Sequence, residues 1–122
     1  MKKLLTAVAL LAASTLAQAE YKDVIAFQMT GECSFSEYME AVGEFNKWAA
    51  PHGYNTQIFM PMSSDDLETY FWVGTSADAG SFGTAYEAWL SELGDSESLP
   101  SELNARFAEC GTNASRSSYH AY

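Results

Sequence analysis

From Tyr21 to Met29, apolar residues occupy both parities of an extended segment: Ile25, Phe27 and Met29 alternate with Val24, Ala26 and Gln28 until Thr30-Gly31 breaks the run. The pattern predicts a first strand, covered at least in part on both faces. Ser34-Phe35-Ser36-Glu37 then has the form of a capping box, in which the serine and glutamate side chains each satisfy a free backbone N–H. Beyond it, Phe35, Tyr38, Met39, Val42, Phe45 and Trp48 recur at helical spacing, with Glu37, Glu40, Glu44 and Lys47 on the other side. An amphipathic helix is expected, stopped by Pro51-His52-Gly53.

Tyr54 to Met62 predicts a second strand, with Thr56, Ile58, Met60 and Met62 on one face; Pro61 cannot donate to a ladder, which marks an edge or a strand end. After the polar turn Ser63-Ser64-Asp65-Asp66, a third strand spans Glu68 to Thr75, and the short connection makes the two a hairpin. Ser81 to Leu93 predicts a second helix on Phe82, Ala85, Tyr86, Trp89, Leu90 and Leu93, closed by Gly94. Leu99-Pro100 opens a shorter third helix, in which Leu103 and Phe107 pack one turn apart and Gly111 ends the run. Ser115 to Tyr122 is expected to be the last strand.

The order β-α-β-β-α-(α)-β is that of an α+β, ferredoxin-like βαββαβ domain with an extra short helix: a four-stranded antiparallel sheet with helices on one face. Cys33 and Cys110, the only cysteines, fall in the two connections at the same end of such a sheet, so a disulfide between them is expected. One helical layer leaves the other sheet face uncovered. If Phe71 and Val73 turn toward the helices, Tyr70 and Trp72 form an open aromatic face, the kind of surface that takes a partner or a ligand.

The first nineteen residues carry a different pattern. Lys2 and Lys3 precede a mostly apolar run, Leu4 to Leu16, and Ala17-Gln18-Ala19 supplies small residues at signal-peptidase spacing. Residues 1–19 are therefore expected to be a signal peptide and 20–122 a single domain, periplasmic or secreted. The run falls short of the roughly 20 residues that span a bilayer, so no membrane association is expected after cleavage. Cleavage removes two lysines and no acid, taking the net charge from −10 to −12. Such a surface repels nucleic acid and anionic membranes, while its high aromatic content argues for a packed core.

Tyr70-Phe71-Trp72-Val73-Gly74, followed by Phe82-Gly83-Thr84-Ala85-Tyr86-Glu87-Ala88-Trp89, resembles the strand, loop and aromatic helix of the dimeric α/β-barrel superfamily, in particular its antibiotic biosynthesis monooxygenase-like members. The resemblance implies that two sheets pair face to face as a homodimer and leave room for a small apolar or aromatic molecule. Members of the superfamily include cofactor-independent oxygenases, haem-degrading enzymes and proteins without known activity, so it implies a scaffold rather than a reaction.

Candidate chemistry is sparse. His120, Gln28, Tyr70 and Trp72 are the residues expected to line a small polar pocket on the open face. His52 fits a helix-end role, where a cationic ring favours the helix dipole. Met29, Met60 and Met62 with a histidine would form the thioether and imidazole set of an exported copper binder; core filling is the competing reading, and no metal or cofactor is assigned. Asp65, Asp66 and Glu68 lack calcium-loop spacing, no nucleophile elbow, phosphate loop or dinucleotide fingerprint occurs, and the sequon Asn113-Ala114-Ser115 is set aside in a chain of bacterial character. The expected function is thus a small exported protein that binds a ligand or partner at its aromatic sheet face. The alternatives are a cofactor-independent oxygenase-like enzyme and a periplasmic copper-binding protein; whether it is an enzyme stays open.

Overall fold

The computed structural model describes residues 19–122. All of the expected signal peptide but Ala19 therefore lies outside the described residues. Four strands, β1 (Glu20–Met29), β2 (Asn55–Phe59), β3 (Thr69–Ser76) and β4 (Gly111–Ala121), alternate with helices α1 (Phe35–Ala49), α2 (Ala79–Leu93) and α3 (Leu99–Cys110). The strands form one sheet in the order β2-β3-β1-β4, with every adjacent pair antiparallel, and the helices pack on one face. This is the ferredoxin-like topology with one added short helix. No helix among the described residues is long and apolar enough to cross a membrane.

Local chemistry explains the element bounds. At the start of α1 the capping box forms in full: Ser34 Oγ accepts from the Glu37 N–H at 3.1 Å, and Glu37 Oε2 accepts from the Ser34 N–H at 2.8 Å. The second helix begins at Ala79, ahead of the expected Ser81, because Asp78 is its cap and accepts from the Ser81 N–H at 2.7 Å. Strand β2 ends at Phe59 instead of Met62, as the missing N–H of Pro61 dictates. The last strand starts at Gly111, four residues ahead of Ser115, because α3 runs into it with no intervening loop and Gly111 already pairs with Met29.

Cys33 and Cys110 form the disulfide, with Cα atoms 5.0 Å apart and a sequence separation of 77. In the chain-entropy account, closing so long a loop contributes about 4 kcal/mol. At the same end, Thr30 binds the last turn of α3, its N–H to the Cys110 carbonyl at 2.9 Å and its hydroxyl to the Glu109 carbonyl at 2.6 Å. The edge strand β2 is tied to α1 by Asn46, whose carboxamide donates to the Thr56 carbonyl at 3.0 Å and accepts from its N–H at 2.9 Å.

The facing of β3 is the reverse of the expected one. Tyr70, Trp72, Gly74 and Ser76 turn toward the helices, while Phe71 and Val73 lie on the uncovered face; Trp72 is 8% exposed and Phe71 41%. Ladder partners give the reason. Trp72 stands opposite Ile25 and Tyr70 opposite Phe27, so the bulkier side chains of both strands share a face and fill the space beneath the helices. Ala26 and Val24, opposite Phe71 and Val73, are too small to fill such a layer.

Candidate functional site

A chain of hydrogen bonds crosses the helix-facing side of the sheet and starts from a buried carboxylate. Asp23 lies on the inward parity of β1 between Tyr21 and Ile25, and is only 1% exposed. A charge so buried is strongly unfavourable unless it is paired and hydrogen-bonded. Arg116 of β4 pairs with it through two contacts, Nε to Oδ1 and Nη2 to Oδ2, each 2.8 Å. Tyr54 Oη donates to Oδ2 at 3.0 Å, and Trp72 Nε1 donates to that hydroxyl at 2.7 Å. Both carboxylate oxygens are thus engaged.

Backbone features bring these side chains together. Gly53, at φ +75°, turns the chain from the short 3-10 helix Ala50–His52 into Tyr54. The Tyr54 ring then crosses β3 at Gly74, the ladder partner of Asp23. A Cβ at Gly74 would lie 1.8 Å from Tyr54 Oη, so only glycine lets the hydroxyl reach the carboxylate. On β4, Phe27 pairs with Asn113 and Ala26 with Ser115, leaving Ala114 as a bulge. The extra residue switches parity, so that odd-numbered Asn113 and even-numbered Arg116 both face the helices.

The hydrogen-bonded array borders a cavity of about 190 Å³ between the sheet and the helices. Its walls are mainly aromatic: Phe45 and Trp48 of α1, Phe82, Tyr86 and Trp89 of α2, and Phe107 of α3. All three tryptophans of the chain line it. Phe45 is the hub, with ring centres 4.8 Å from Trp72 and 5.4 Å from Trp89 in edge-to-face contact. Trp48 is fixed by a 2.7 Å hydrogen bond from Nε1 to Glu92 of α2. Polar groups enter from Asn104, Asn113 and Arg116, whose guanidinium carbon lies 5.2 Å from the Tyr86 ring centre and 5.9 Å from that of Phe82.

The environment shifts several proton affinities. Burial, reinforced by the adjacent Asp23 charge, pushes the Tyr54 hydroxyl well above the ordinary tyrosine range, and burial alone does the same for Tyr38. Hydrogen bonding to Asp23 raises the guanidinium of Arg116 further. Tyr54 is therefore a neutral hydrogen-bond donor and Arg116 a fixed cation.

Of the four residues expected to share a pocket, Trp72 alone lines this cavity. Tyr70 is on the same face but stacks between Phe27 and Phe35, nearer the disulfide end. Gln28 lies on the opposite face, exposed, and His120 sits near the far end of the sheet with its ring edge to Tyr21 at 6.1 Å. His52 stacks on Trp48 at 4.6 Å, outside the cavity lining. Met29 packs against the core, whereas Met60 and Met62 are exposed in the β2–β3 connection, so the three thioethers belong to different environments. Among the described residues, no group of three or more His, Cys, Asp or Glu side chains is placed to hold a metal ion.

Sequence reasoning missed Asp23, Tyr54, Asn104, Asn113 and Arg116. One signal was available: Asp23 shares the parity of Ile25 and Phe27, and a carboxylate on the inward side of a strand demands a partner.

No protein-family model matches the chain, and no curated relative matches it. Solved structures do. SnoaB, a cofactor-independent oxygenase from Streptomyces nogalater, superposes with a TM-score of 0.57 at 13% identity, over 85% of this chain and 94% of its own. A conserved protein of unknown function from Bacteroides thetaiotaomicron follows at TM-score 0.50 and 10% identity, over 85% of this chain and 99% of its own. A dimeric protein of unknown function from Bacteroides fragilis, also ferredoxin-like, has a TM-score of 0.47 at 9% identity, over 83% and 95%. At such low identity these likenesses speak to the fold alone, and the chain shares its ferredoxin-like architecture with a cofactor-independent oxygenase and with a conserved protein of unknown function.

Proposed function

We propose that this is an exported enzyme that oxygenates a small electron-rich aromatic molecule without a cofactor. The observation that carries the reading is the aromatic cavity, bordered at one side by the Trp72-Tyr54-Asp23-Arg116 array. The fold likeness to a cofactor-independent oxygenase supports the same reading at the level of scaffold. In such chemistry the substrate is its own reductant: its anion passes an electron to dioxygen, the two radicals join at a ring carbon, and the peroxide loses water. In balance, a ring methylene of the substrate's keto tautomer and one dioxygen give one carbonyl and one water. One oxygen atom ends in the carbonyl, and the other leaves with both methylene hydrogens. The chain contributes ring faces that orient the substrate and keep water out, and it places the Arg116 cation where negative charge develops on oxygen.

Oxygen uptake by the purified protein, with one- and two-ring phenols and naphthols as substrates, tests this directly. One dioxygen consumed per carbonyl formed is expected, unchanged by added chelator. Tight binding of these molecules with no oxygen uptake beyond the uncatalysed rate would reject the enzyme and leave a binding protein.

A second reading concerns the uncovered face, where Phe59, Phe71 and Tyr119 are exposed. In the ladder, Phe59, Phe71 and Ala26 form one row across the sheet, with Val73 and Val24 in the next. This apolar centre suits a second copy of the chain packed sheet to sheet. Sedimentation over a range of concentrations tests it: a dimer is expected, and a monomer at every concentration removes it.

A further inference from the structure

We infer that the ligand of the cavity is a planar molecule of one ring or two fused rings bearing an anionic oxygen, phenolate or carboxylate, that is received by Nη1 of Arg116. The inference rests on the cavity being the binding site, as proposed above, and adds the ligand's size and charge.

Size comes from the space available. The cavity holds about 190 Å³, and an apolar cavity of roughly 150 Å³ is known to accept benzene. A substituted ring or a fused pair fits within it; a third fused ring must either project through the solvent-open side or displace the aromatic walls. Those walls are coupled across helices, since Trp48 is held to Glu92 and Phe45 contacts Trp72 and Trp89, so displacing one disturbs several.

Charge comes from which polar groups remain uncommitted. Nε and Nη2 of Arg116 are used on Asp23, which leaves Nη1 with its two N–H bonds. The indole N–H groups of Trp48 and Trp72 are taken by Glu92 and Tyr54. Asp23 already receives three hydrogen bonds and is in no position to receive an amine or other cation. The strongest free donor facing the cavity is therefore a guanidinium, and its best complement is an anionic oxygen. Arg116 is 45% exposed in its side chain, so the anionic group stays near solvent while the ring enters between the aromatic walls.

The test is calorimetric titration of the disulfide-bonded protein with 2-naphthoate, the neutral isostere 2-naphthamide, and anthracene-2-carboxylate. The three indole N–H signals in a nitrogen-15 correlation spectrum report whether each molecule enters the cavity. Naphthoate is expected to bind about tenfold more tightly than naphthamide, the value of one charge-assisted hydrogen bond, and more tightly than the three-ring acid. In Arg116→Gln the acid and the amide should bind alike, and Arg116→Lys should restore part of the difference. Equal binding of acid and amide to the unaltered protein, with indole shifts, overturns the charge assignment while leaving the site. Tighter binding of the three-ring acid overturns the size limit in the same way. Failure of all three to move the indole signals rejects the cavity as the site. The unaltered protein decides each point, so loss of folding in a variant does not blur the result.

Discussion

The two faces of this sheet are made from alternate residues of the same strands, yet they differ in chemistry. On the helix side Trp72 and Ile25 share a row with Arg116, and the next row places Gly74, Asp23 and Ser118 together. On the open side the matching rows are Phe71, Ala26 and Ser115, then Val73, Val24 and Ser117. Both sides offer apolar surface, but only the helix side encloses a carboxylate, Asp23, and there the charge must be paired in a defined geometry. A carboxylate and a guanidinium that would contribute little in water become, under the helices, a fixed part of the structure. The open side buries no carboxylate in this way: in its ion pair with Lys22, Glu20 keeps 58% of its side chain exposed, against 1% for Asp23.

Adjacent residues of β3 give the strongest contrast. Trp72→Ala removes a buried indole that also holds Tyr54, and should destabilise the protein by about 3–5 kcal/mol. Phe71→Ala, one residue away on the open face, should cost under about 1 kcal/mol in dilute solution. Urea unfolding of the two variants measures both. Equal losses at low concentration would mean that the open face is covered even there.

That contrast also marks where the sequence stops being informative. The order of elements, the Ser34 capping box and the Cys33–Cys110 pairing are local or topological signals and were legible. The facing of β3 was not, because Tyr70-Phe71-Trp72-Val73 is apolar at every position and its alternation does not name a buried side. Side-chain bulk summed over the paired strand does, since Ile25, Phe27 and Met29 outweigh Val24, Ala26 and Gln28. The site was harder still. Arg116 reaches the cavity through the bulge at Ala114, and Tyr54 reaches Asp23 through the positive φ of Gly53 and the bare backbone of Gly74. These are meetings of residues distant in sequence, which periodicity does not encode.

Gly74→Ala tests that meeting alone. The new methyl group would occupy the place of the Tyr54 hydroxyl, so Tyr54 must swing out, breaking its bonds to Asp23 and Trp72. A loss of about 2–3 kcal/mol is expected. Thr75→Ala, its neighbour on the open face, should cost under about 1 kcal/mol. Retention of full stability in Gly74→Ala would show that Tyr54 does not need to cross the strand there.

Alkaline pH separates the faces without any substitution. Tyr54 and Tyr38 have proton affinities raised above the ordinary value of 10.0, chiefly by burial. Above that pH the unfolded chain releases both phenolic protons while the folded chain keeps them, so the folded state binds more protons and stability falls as pH rises. Below it the contribution is fully present. The expected slope approaches about 1.4 kcal/mol per pH unit for each tyrosine, and Tyr38→Phe should remove one share of it. A flat stability profile through about pH 10 to 11 would mean that neither hydroxyl is held away from water.

The smallest effect is expected on the open face itself. Phe71→Glu puts a charge on a surface with no covering element, where the carboxylate stays hydrated, so the monomer should change by no more than about 0.5 kcal/mol. Association is where the substitution acts. If two copies pair through Phe71 and Phe59, like charges meet across the contact and the dimer is lost, while each protomer keeps its disulfide, its cavity and its ligand affinity. The melting temperature of the unaltered protein should then rise with concentration, and that of Phe71→Glu should not. Loss of cavity binding in Phe71→Glu would mean that the faces are not independent and that the second copy helps to shape the cavity beneath the helices. Retained binding would confine the ligand to the helix side and leave the open side to association alone.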